Sequence, residues 1–203
     1  MLAPWMVPAG RAVLAIALGL TITFTTGHTA TFGLVVFGGY AILAGVVLLL
    51  AWIGPRAAAE ARSAFRAQGV VSLVAGIAAL VLPGGGMGYL VLLVSGWAIV
   101  CGALELMSGL RFRRRVTAWT DWIAVGALTL VLGVVTLVLP PDISQSYSGD
   151  TGVEGLLTSA IIVTGLLGAW GVLTGVLLAI SAVSPTLTAR AAERERLTTE
   201  SGS

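Results

Sequence analysis

The chain has little charge and no lysine. Its 203 residues include 11 basic residues, all arginine, and 9 acidic ones, so that 10% are charged, whereas soluble domains have about 25%. With 57% hydrophobic residues and a mean hydropathy of +1.01, so few charges cannot cover the surface of a soluble globular enzyme. Disorder is excluded by the same numbers, because disordered chains are polar. What remains is an integral membrane protein.

Cysteine and histidine are equally scarce, with one residue of each. Cys101 alone cannot form an intramolecular disulfide, and together with the single His28 it provides no cluster of metal ligands. Gly84-Gly85-Gly86-Met87-Gly88 resembles a phosphate-binding loop only superficially, because it lacks the Lys-Ser/Thr ending. No catalytic motif is present, so we expect neither an enzyme nor a metal or other cofactor. The basic pI does not indicate nucleic-acid binding, because the arginines are distributed as a topological signal.

Long uncharged stretches predict six transmembrane helices. Residues 12–55 contain no Asp, Glu, Lys or Arg over 44 residues. As one helix this stretch would extend about 66 Å, twice the hydrocarbon core of about 30 Å, so it must cross the membrane twice. The predicted turns and limits are Thr26-Gly27-His28-Thr29 for the first pair, Pro83-Gly84-Gly85-Gly86 for the second (67–104), and a polar loop over 142–155 between Trp122–Leu139 and 156–183 for the third. Ser184-Pro185 is expected to end the last helix. The runs lack the alternation of a membrane β-barrel.

Arginine predicts the orientation of these helices. All 11 arginines lie before the first helix, between the second and third, between the fourth and fifth, or after the sixth. The other three connections have none, and the longest of them contains Asp142, Asp150 and Glu154. The positive-inside rule therefore places both termini in the cytoplasm. A cleaved signal peptide with its apolar region at 12–25 is the alternative for the N-terminus, but only Arg11 precedes this region and no small-x-small cleavage site follows it.

The helices form an internal repeat. Gly19, Gly76 and Gly133 are separated by 57 residues each. In the following helices an aromatic residue stands five positions before a glycine, in Tyr40/Gly45, Trp97/Gly102 and Trp170/Gly175. The predicted six-helix domain, 1–188, thus contains three tandem two-helix repeats over about 11–55, 66–110 and 119–183, followed by a cytoplasmic tail, 189–203, that is helical to about Leu197. Two crossings per repeat leave all copies facing the same way, which predicts a pseudo-threefold axis along the membrane normal.

Glycines at equivalent places are the predicted helix-packing residues. Apolar burial does not drive association in lipid, so helices must approach closely through small residues. Each helix has a small-xxx-Gly step, and the predicted packing glycines are Gly19, Gly45, Gly76, Gly102, Gly133, Gly171 and Gly175.

This double-glycine hairpin resembles the HdeD-like acid-resistance membrane protein family, which is built from a short repeat of unknown function. The stretch from Gly69 to Gly109 matches best, with Val81-Leu82-Pro83 and Ser95-Gly96-Trp97 among its motifs. The first and third repeats match more loosely, through Thr26 in place of proline and the inserted loop after Pro141. The resemblance implies a six-span bacterial inner-membrane protein linked to acid or envelope stress, and it supplies no catalytic residues.

Glu105 is the acidic residue within an apolar span, and it has two interpretations. A charged carboxylate at the membrane centre costs about 2.5–3.5 kcal/mol, and less toward the interface. It is either a titratable group that binds a proton or an ion, or a structural group paired with an arginine such as Arg66 or Arg111.

Three further polar features also have two interpretations each. The cluster Arg111, Arg113, Arg114 and Arg115 either anchors the topology or also binds anionic lipid at the cytoplasmic face. His28 is a solvated turn residue or a pH sensor. The outer-loop acids are solvated, or they bind a cation.

The favoured function is a non-enzymatic protein of acid or envelope stress resistance, or a membrane scaffold, with the lipid bilayer, other membrane proteins or a second copy as partners. A channel or transporter for protons or small solutes is the alternative. Its polar path would use Glu105 and the hydroxyls of Thr21, Thr23, Ser72, Ser95, Thr129, Thr164 and Thr174. Such hydroxyls also bond back to their own helix, which weakens the alternative.

Overall fold

The computed structural model describes residues 5–53, 59–113, 119–148 and 154–201. These residues form six helices and one two-stranded hairpin: α1 Met6–Phe24, α2 Ala30–Ile53, α3 Ala59–Val81, α4 Gly86–Arg111, α5 Trp119–Val138, β1 Ser144–Ser148, β2 Glu154–Thr158 and α6 Ser159–Ser201. Each helix contains a segment long and apolar enough to cross a membrane, which in α3 is Arg62–Val81 and in α6 is Ser159–Val183. The prediction of six spanning helices is confirmed.

Two glycines with positive φ form the sharp turns between consecutive helices. Gly27 has a φ of 81° between α1 and α2, and Gly86 has a φ of 79° where α4 begins. Both values lie in the left-handed region that glycine adopts without steric cost. In the first turn, Nε2 of His28 lies 2.8 Å from the carbonyl oxygen of Ile22. The last carbonyls of a helix have no partner within it, so His28 caps the end of α1.

The closest helix pairs are α2 with α3, α4 with α5, and α1 with α6. The pairs α1–α2, α3–α4 and α5–α6, which correspond to the predicted two-helix units, pack less closely. Helices α2, α4 and α6 also contact one another, whereas α1, α3 and α5 each lie against two of them. We therefore call α2, α4 and α6 the inner helices, and α1, α3 and α5, which surround them, the outer helices. The tightest contacts join a helix of one predicted unit to a helix of the next.

The interior is apolar and the exterior is apolar as well. Phe37, Leu34 and Leu90 are fully buried at the centre of the main hydrophobic cluster. Large hydrophobic side chains also cover the outside, and Phe24 and Val138 are 82% and 75% exposed. A soluble protein rarely exposes apolar surface on this scale, whereas a helix in lipid requires it.

The long connection between α5 and α6 departs from the predicted polar loop. Ser144–Ser148 and Glu154–Thr158 pair as an antiparallel hairpin, with Ser144 opposite Thr158. Because β2 occupies 154–158, α6 begins at Ser159 instead of residue 156. The hydroxyl of Ser159 accepts a hydrogen bond from the Ile143 amide (2.9 Å) and donates one to the Pro140 carbonyl (2.8 Å), so it holds the base of the hairpin to the end of α5.

The predicted end of the last helix at Ser184-Pro185 is wrong, because α6 continues to Ser201. Proline has no N–H, so the carbonyl of Ser181 loses its usual helical partner. The apolar segment ends at Val183, close to this position. At the end of the apolar segment water can bond to the freed carbonyl, so the helix can pass the proline.

Candidate functional site

A buried ion pair joins α1 to α4. Nη1 of Arg11 donates to Oε1 of Glu105 at 2.7 Å, and Nη2 donates to Oε2 at 2.9 Å. The two side chains are only 13% and 6% exposed. The contact joins residues 94 positions apart in the sequence and uses both carboxylate oxygens in one planar, two-bonded arrangement.

Glu105 is therefore paired with an arginine, but with neither of the two that the sequence suggested. Arg111 is six residues further along the same helix, so the two side chains are separated by about 120° around the helix axis. Arg66 lies over the ring of Trp52, with its guanidinium carbon 5.8 Å from the centroid. The prediction that Arg11 precedes the first helix is wrong, because α1 begins at Met6 and includes Arg11, which it brings to Glu105.

The pairing offsets the cost of placing a charge in the bundle. An isolated carboxylate or guanidinium would lose its hydration without compensation. Here each charge is neutralised by the other, and both oxygens of the ionised carboxylate accept a strong hydrogen bond. The pair therefore leaves no uncompensated charge on either Arg11 or Glu105 inside the bundle.

A small cavity adjoins the carboxylate. It has a volume of about 10 Å³, which is the space of about one water molecule, and Gln68, Glu105 and Ser108 supply its polar lining. The Gln68 side chain is 3% exposed and has no hydrogen bond to another residue that the structure describes. The ion pair thus lies beside a second buried polar group on α3.

The repeat spacing allows Arg11 and Glu105 to be compared with the residues at corresponding positions of the other predicted repeats. Arg11, Gln68 and Val125 each stand eight residues before one of the glycines spaced by 57. Leu48, Glu105 and Leu178 each stand three residues after a glycine of the inner helices. Apart from Arg11, all of these residues are less than 9% exposed. At the corresponding positions of other predicted repeats, Arg11 is matched by Val125, and Glu105 by Leu48 and Leu178.

Three aromatic side chains meet between the inner helices. The ring centroids of Trp97 and Trp170 are 5.4 Å apart, and Tyr40 lies 5.9 Å from Trp97 and 5.6 Å from Trp170, all edge to face. Phe37 adds a further contact at 5.4 Å from Trp97. Tyr40, Trp97 and Trp170 stand at the same place in the three predicted repeats. Their side chains fill the space between α2, α4 and α6.

Both indoles are anchored by a hydroxyl on the neighbouring outer helix. Nε1 of Trp97 donates to Oγ of Ser72 at 2.9 Å, and Nε1 of Trp170 donates to Oγ1 of Thr129 at 3.0 Å. Ser72 and Thr129 are separated by 57 residues, so the two contacts are equivalent. The first copy has Ala15 at this place and tyrosine in place of tryptophan.

The hydroxyls proposed for a polar path are mostly occupied within their own helices. Thr23, Ser95, Thr129 and Thr164 each donate to the carbonyl four residues earlier at 2.6–2.8 Å. Thr21 is exposed on the outside. Among the residues that the structure describes, the buried hydroxyls of Thr136 and Thr174 have no hydrogen-bond partner. The structure thus brings Ser72 and Thr129 to the aromatic cluster and does not join the other hydroxyls into one line.

The seven predicted packing glycines all lie where neighbouring helices touch. A Cβ atom at any of Gly19, Gly45, Gly76, Gly102, Gly133, Gly171 or Gly175 would come within 2.5–2.9 Å of an adjacent helix. At Gly102 the nearest atom is the backbone nitrogen of Leu130, at 2.6 Å. At Gly102 a larger side chain is not accommodated without a shift of the helix, because a backbone atom cannot move aside as a flexible side chain can.

Further close-contact glycines were missed by the sequence prediction. Gly38, Gly69, Gly109, Gly126 and Gly168 are packed as tightly. The signal that could have found them is a spacing of seven, which occurs in 38/45, 69/76, 102/109, 126/133 and 168/175. Seven residues make about two helical turns, so each pair lies on one face.

Of the four arginines predicted to face lipid, the two that the structure describes lie at the surface. Arg111 and Arg113 are exposed at the end of α4, and the Arg113 guanidinium carbon lies 5.2 Å from the centre of the Trp119 ring. Arg114 and Arg115 lie outside the described residues, as do Asp150 and residues 202–203 of the predicted tail. Within the described residues no group of three or more His, Cys, Asp or Glu side chains could hold a metal ion.

Six apolar helices with an apolar exterior, and with a neutralised ion pair inside, define a multi-pass α-helical membrane protein. Residues 67–138 match the family described as a short repeat of unknown function (DUF308). The match covers the apolar part of α3, all of α4 and α5, and therefore Gln68, Trp97 and Glu105. It supports the resemblance to a short-repeat family, while membership of the HdeD-like family stays a prediction. No match was found among curated proteins or solved structures.

Proposed function

We propose that this chain is a non-enzymatic bacterial inner-membrane protein that acts as a scaffold in acid or envelope stress resistance. In this proposal both termini are cytoplasmic, and the six helices are three tandem repeats around a pseudo-threefold axis. Its partners are the lipid bilayer, other membrane proteins or a second copy. The observation that carries the proposal is that the buried charges of Arg11 and Glu105, and the indole N–H groups of Trp97 and Trp170, are paired within the bundle.

The ion pair and the indoles supply this support. The Arg11 guanidinium donates one hydrogen bond to each carboxylate oxygen of Glu105. Trp97 and Trp170 each donate to a buried hydroxyl. Tyr40 and the two indoles fill the space between the inner helices. A solute path needs polar groups that are open to water, whereas these groups are already engaged. The arrangement favours a rigid structural unit over a transporter.

The repeat proposal is supported by the contacts between equivalent residues. The three aromatic residues at matching repeat positions touch one another, and the closest helix pairs follow the same rule in each copy: an inner helix packs on the outer helix of the next copy, with α6 packing on α1. A threefold axis would produce this pattern, because it carries each interface onto the next.

A proton or small-solute transporter is the second candidate. The buried Gln68, the small cavity beside Glu105, and the unpartnered hydroxyl of Thr174 favour it. In this alternative, release of Glu105 from Arg11 would allow the carboxylate to take up a proton.

Flux into vesicles separates the two candidates. The purified protein would be reconstituted with an internal pH-sensitive dye, and the external pH would be lowered with the potential clamped. We expect the same internal acidification as in protein-free vesicles, for the wild type and for Glu105→Gln. An acidification above that of empty vesicles that Glu105→Gln abolishes would overturn the scaffold proposal in favour of transport.

Survival of the source bacterium tests the stress role. A strain lacking the chain is expected to lose viability under acid or detergent challenge and to regain it with the wild type. If the role is structural, a variant in which Arg11→Val and Glu105→Leu replace the ion pair by apolar residues should also restore survival. Unchanged survival of the deletion strain under both challenges would contradict the proposal.

A further inference from the structure

A groove opens between α3 and α4 at the end of the bundle that contains Arg111. Its volume is about 860 Å³. The groove exists because the glycine faces of these helices point elsewhere: Gly69 and Gly76 of α3 pack on α2, and Gly102 and Gly109 of α4 pack on α5. The two helices therefore lack close backbone contact with each other at this end.

The lining of the groove is amphipathic. Ala67, Leu104 and Met107 supply apolar walls, whereas Ser63 and Arg111 add polar groups. Among the side chains that the structure describes, those that line the groove include no carboxylate. A chain of methylene groups fits the apolar part of such a lining, and an anion fits its charged part.

Arg111 is available to an anion. Its side chain is exposed, and its guanidinium carbon lies 5.9 Å from the centre of the Phe112 ring. It forms no ion pair with a carboxylate among the residues that the structure describes. The nearest acidic residue on its own helix, Glu105, is already occupied by Arg11.

The depth of the groove agrees with the geometry of a lipid. From Arg111 to Leu104 is seven residues, or about 10 Å along the helix. Met107, which lines the groove, is 66% exposed, so this wall also faces the surroundings of the bundle. In a bilayer, water does not fill apolar space at this depth, and an acyl chain does.

We infer that this groove binds one anionic glycerophospholipid, with the phosphate at Arg111 and Ser63 and one acyl chain along Ala67, Leu104 and Met107. The inference requires that this end of the bundle lies at a membrane surface, and it does not depend on the stress role. A zwitterionic lipid offers the same chain but a weaker partner for the exposed Arg111 guanidinium. A soluble phosphate offers the charge but leaves the apolar walls bare.

Native mass spectrometry of the full chain in a mild non-ionic detergent tests this site. Phosphatidylglycerol, phosphatidylcholine with the same acyl chains, and soluble glycerol phosphate would be titrated separately. We expect one phosphatidylglycerol to bind more tightly than phosphatidylcholine, and glycerol phosphate neither to bind nor to compete. Arg111→Gln should weaken phosphatidylglycerol binding about fivefold, the usual effect of one basic residue at a lipid surface.

Two matched controls separate a groove from diffuse surface attraction. Arg113→Gln removes an equally exposed arginine that does not line the groove, so it should change the affinity by less than about twofold. Ala67→Phe obstructs the apolar wall along which the acyl chain would lie and should lower phosphatidylglycerol binding to the level of phosphatidylcholine. Val74→Phe enlarges a side chain on the exposed face of α3 outside the groove and should have no effect.

Three results would overturn the inference. The first is an equal loss from Arg111→Gln and Arg113→Gln. The second is unchanged binding in a folded Ala67→Phe variant. The third is effective competition by glycerol phosphate, which would indicate a phosphate site without a lipid chain. If Ala67→Phe does not fold, Ser63→Trp at the exposed edge of the groove gives the same test, and binding as tight as that of the wild type would overturn the inference. A proton flux in the vesicle assay would contradict the scaffold proposal but would leave this lipid inference unaffected.

Discussion

Replacing the ion pair by the residues of the other repeat copies is the sharpest perturbation that the structure offers. Val125 occupies the position of the third predicted repeat that corresponds to Arg11 in the first. Leu48 and Leu178 occupy the positions of the first and third predicted repeats that correspond to Glu105 in the second. The variants are therefore Arg11→Val, Glu105→Leu and the two together. Each introduces a residue that already packs in an equivalent buried position.

The two single changes should both be costly. Arg11→Val leaves a carboxylate that is 6% exposed without its two hydrogen bonds of 2.7 and 2.9 Å. Breaking a buried pair in this way costs about 3–5 kcal/mol, and we expect about 4 kcal/mol of the free energy of unfolding. Glu105→Leu should cost less, about 3 kcal/mol, because Arg11 is longer and more exposed and can extend toward the headgroups.

The double variant should be close to the wild type in stability. With both charges gone, neither desolvation nor an unpaired group remains, so we expect a loss within about 1 kcal/mol. Simple addition of the single losses would give about 7 kcal/mol, so the expected coupling energy is about 6 kcal/mol. The free energy would be measured by unfolding in mixed micelles with SDS, followed by tryptophan fluorescence and extrapolated linearly.

Gln68→Val is the matched control for these changes. It removes a buried but uncharged polar group from the second copy, and it should change stability by less than about 1 kcal/mol. Single losses below about 1 kcal/mol would mean that the pair is solvated. Losses that simply add in the double variant would refute the coupling between Arg11 and Glu105.

Three further predictions concern packing, hydrogen bonding and topology. Gly126→Ala should destabilise by about 1–3 kcal/mol in the same unfolding assay, because its Cβ would lie 2.5 Å from the backbone nitrogen of Leu106. Gly96→Ala, where no atom lies within 4 Å, should be neutral or stabilising, and equal effects at both glycines would contradict the close contact. Trp97→Phe and Ser72→Ala should each lower the free energy of unfolding by about 0.6 kcal/mol, and by little more together, because both remove the 2.9 Å hydrogen bond between the Trp97 indole and the Ser72 hydroxyl. Additive losses would exclude that hydrogen bond as a stabilising contact. In a Cys101→Ala background, Asp142→Cys should react with a membrane-impermeant maleimide on intact cells and Arg113→Cys should not, whereas the reverse pattern would contradict the proposed orientation.

The candidate site was only partly predictable. The charge of Glu105 in an apolar span identified it at once, and the repeat spacing selected Tyr40, Trp97 and Trp170. The partner of Glu105 was not predictable, because it depends on how far α1 and α4 are rotated and shifted against each other. That geometry is fixed by contacts such as those of Gly19 and Gly102 with other helices. The β1–β2 hairpin was missed because Ser144–Ser148 is a short polar strand with little hydrophobic pattern.

Hydropathy and glycine spacing in the sequence alone determined the six spans, the turns after α1 and α3, and the helix faces that carry the predicted packing glycines. These properties are local, because each helix must satisfy its own backbone and match the thickness of the bilayer. Only the tertiary structure decided that α6 packs on α1, that the aromatic residues meet between the inner helices, and that Arg11 neutralises Glu105. Such contacts join distant parts of the chain, and their free energy depends on the relative placement of whole helices, which no local pattern specifies.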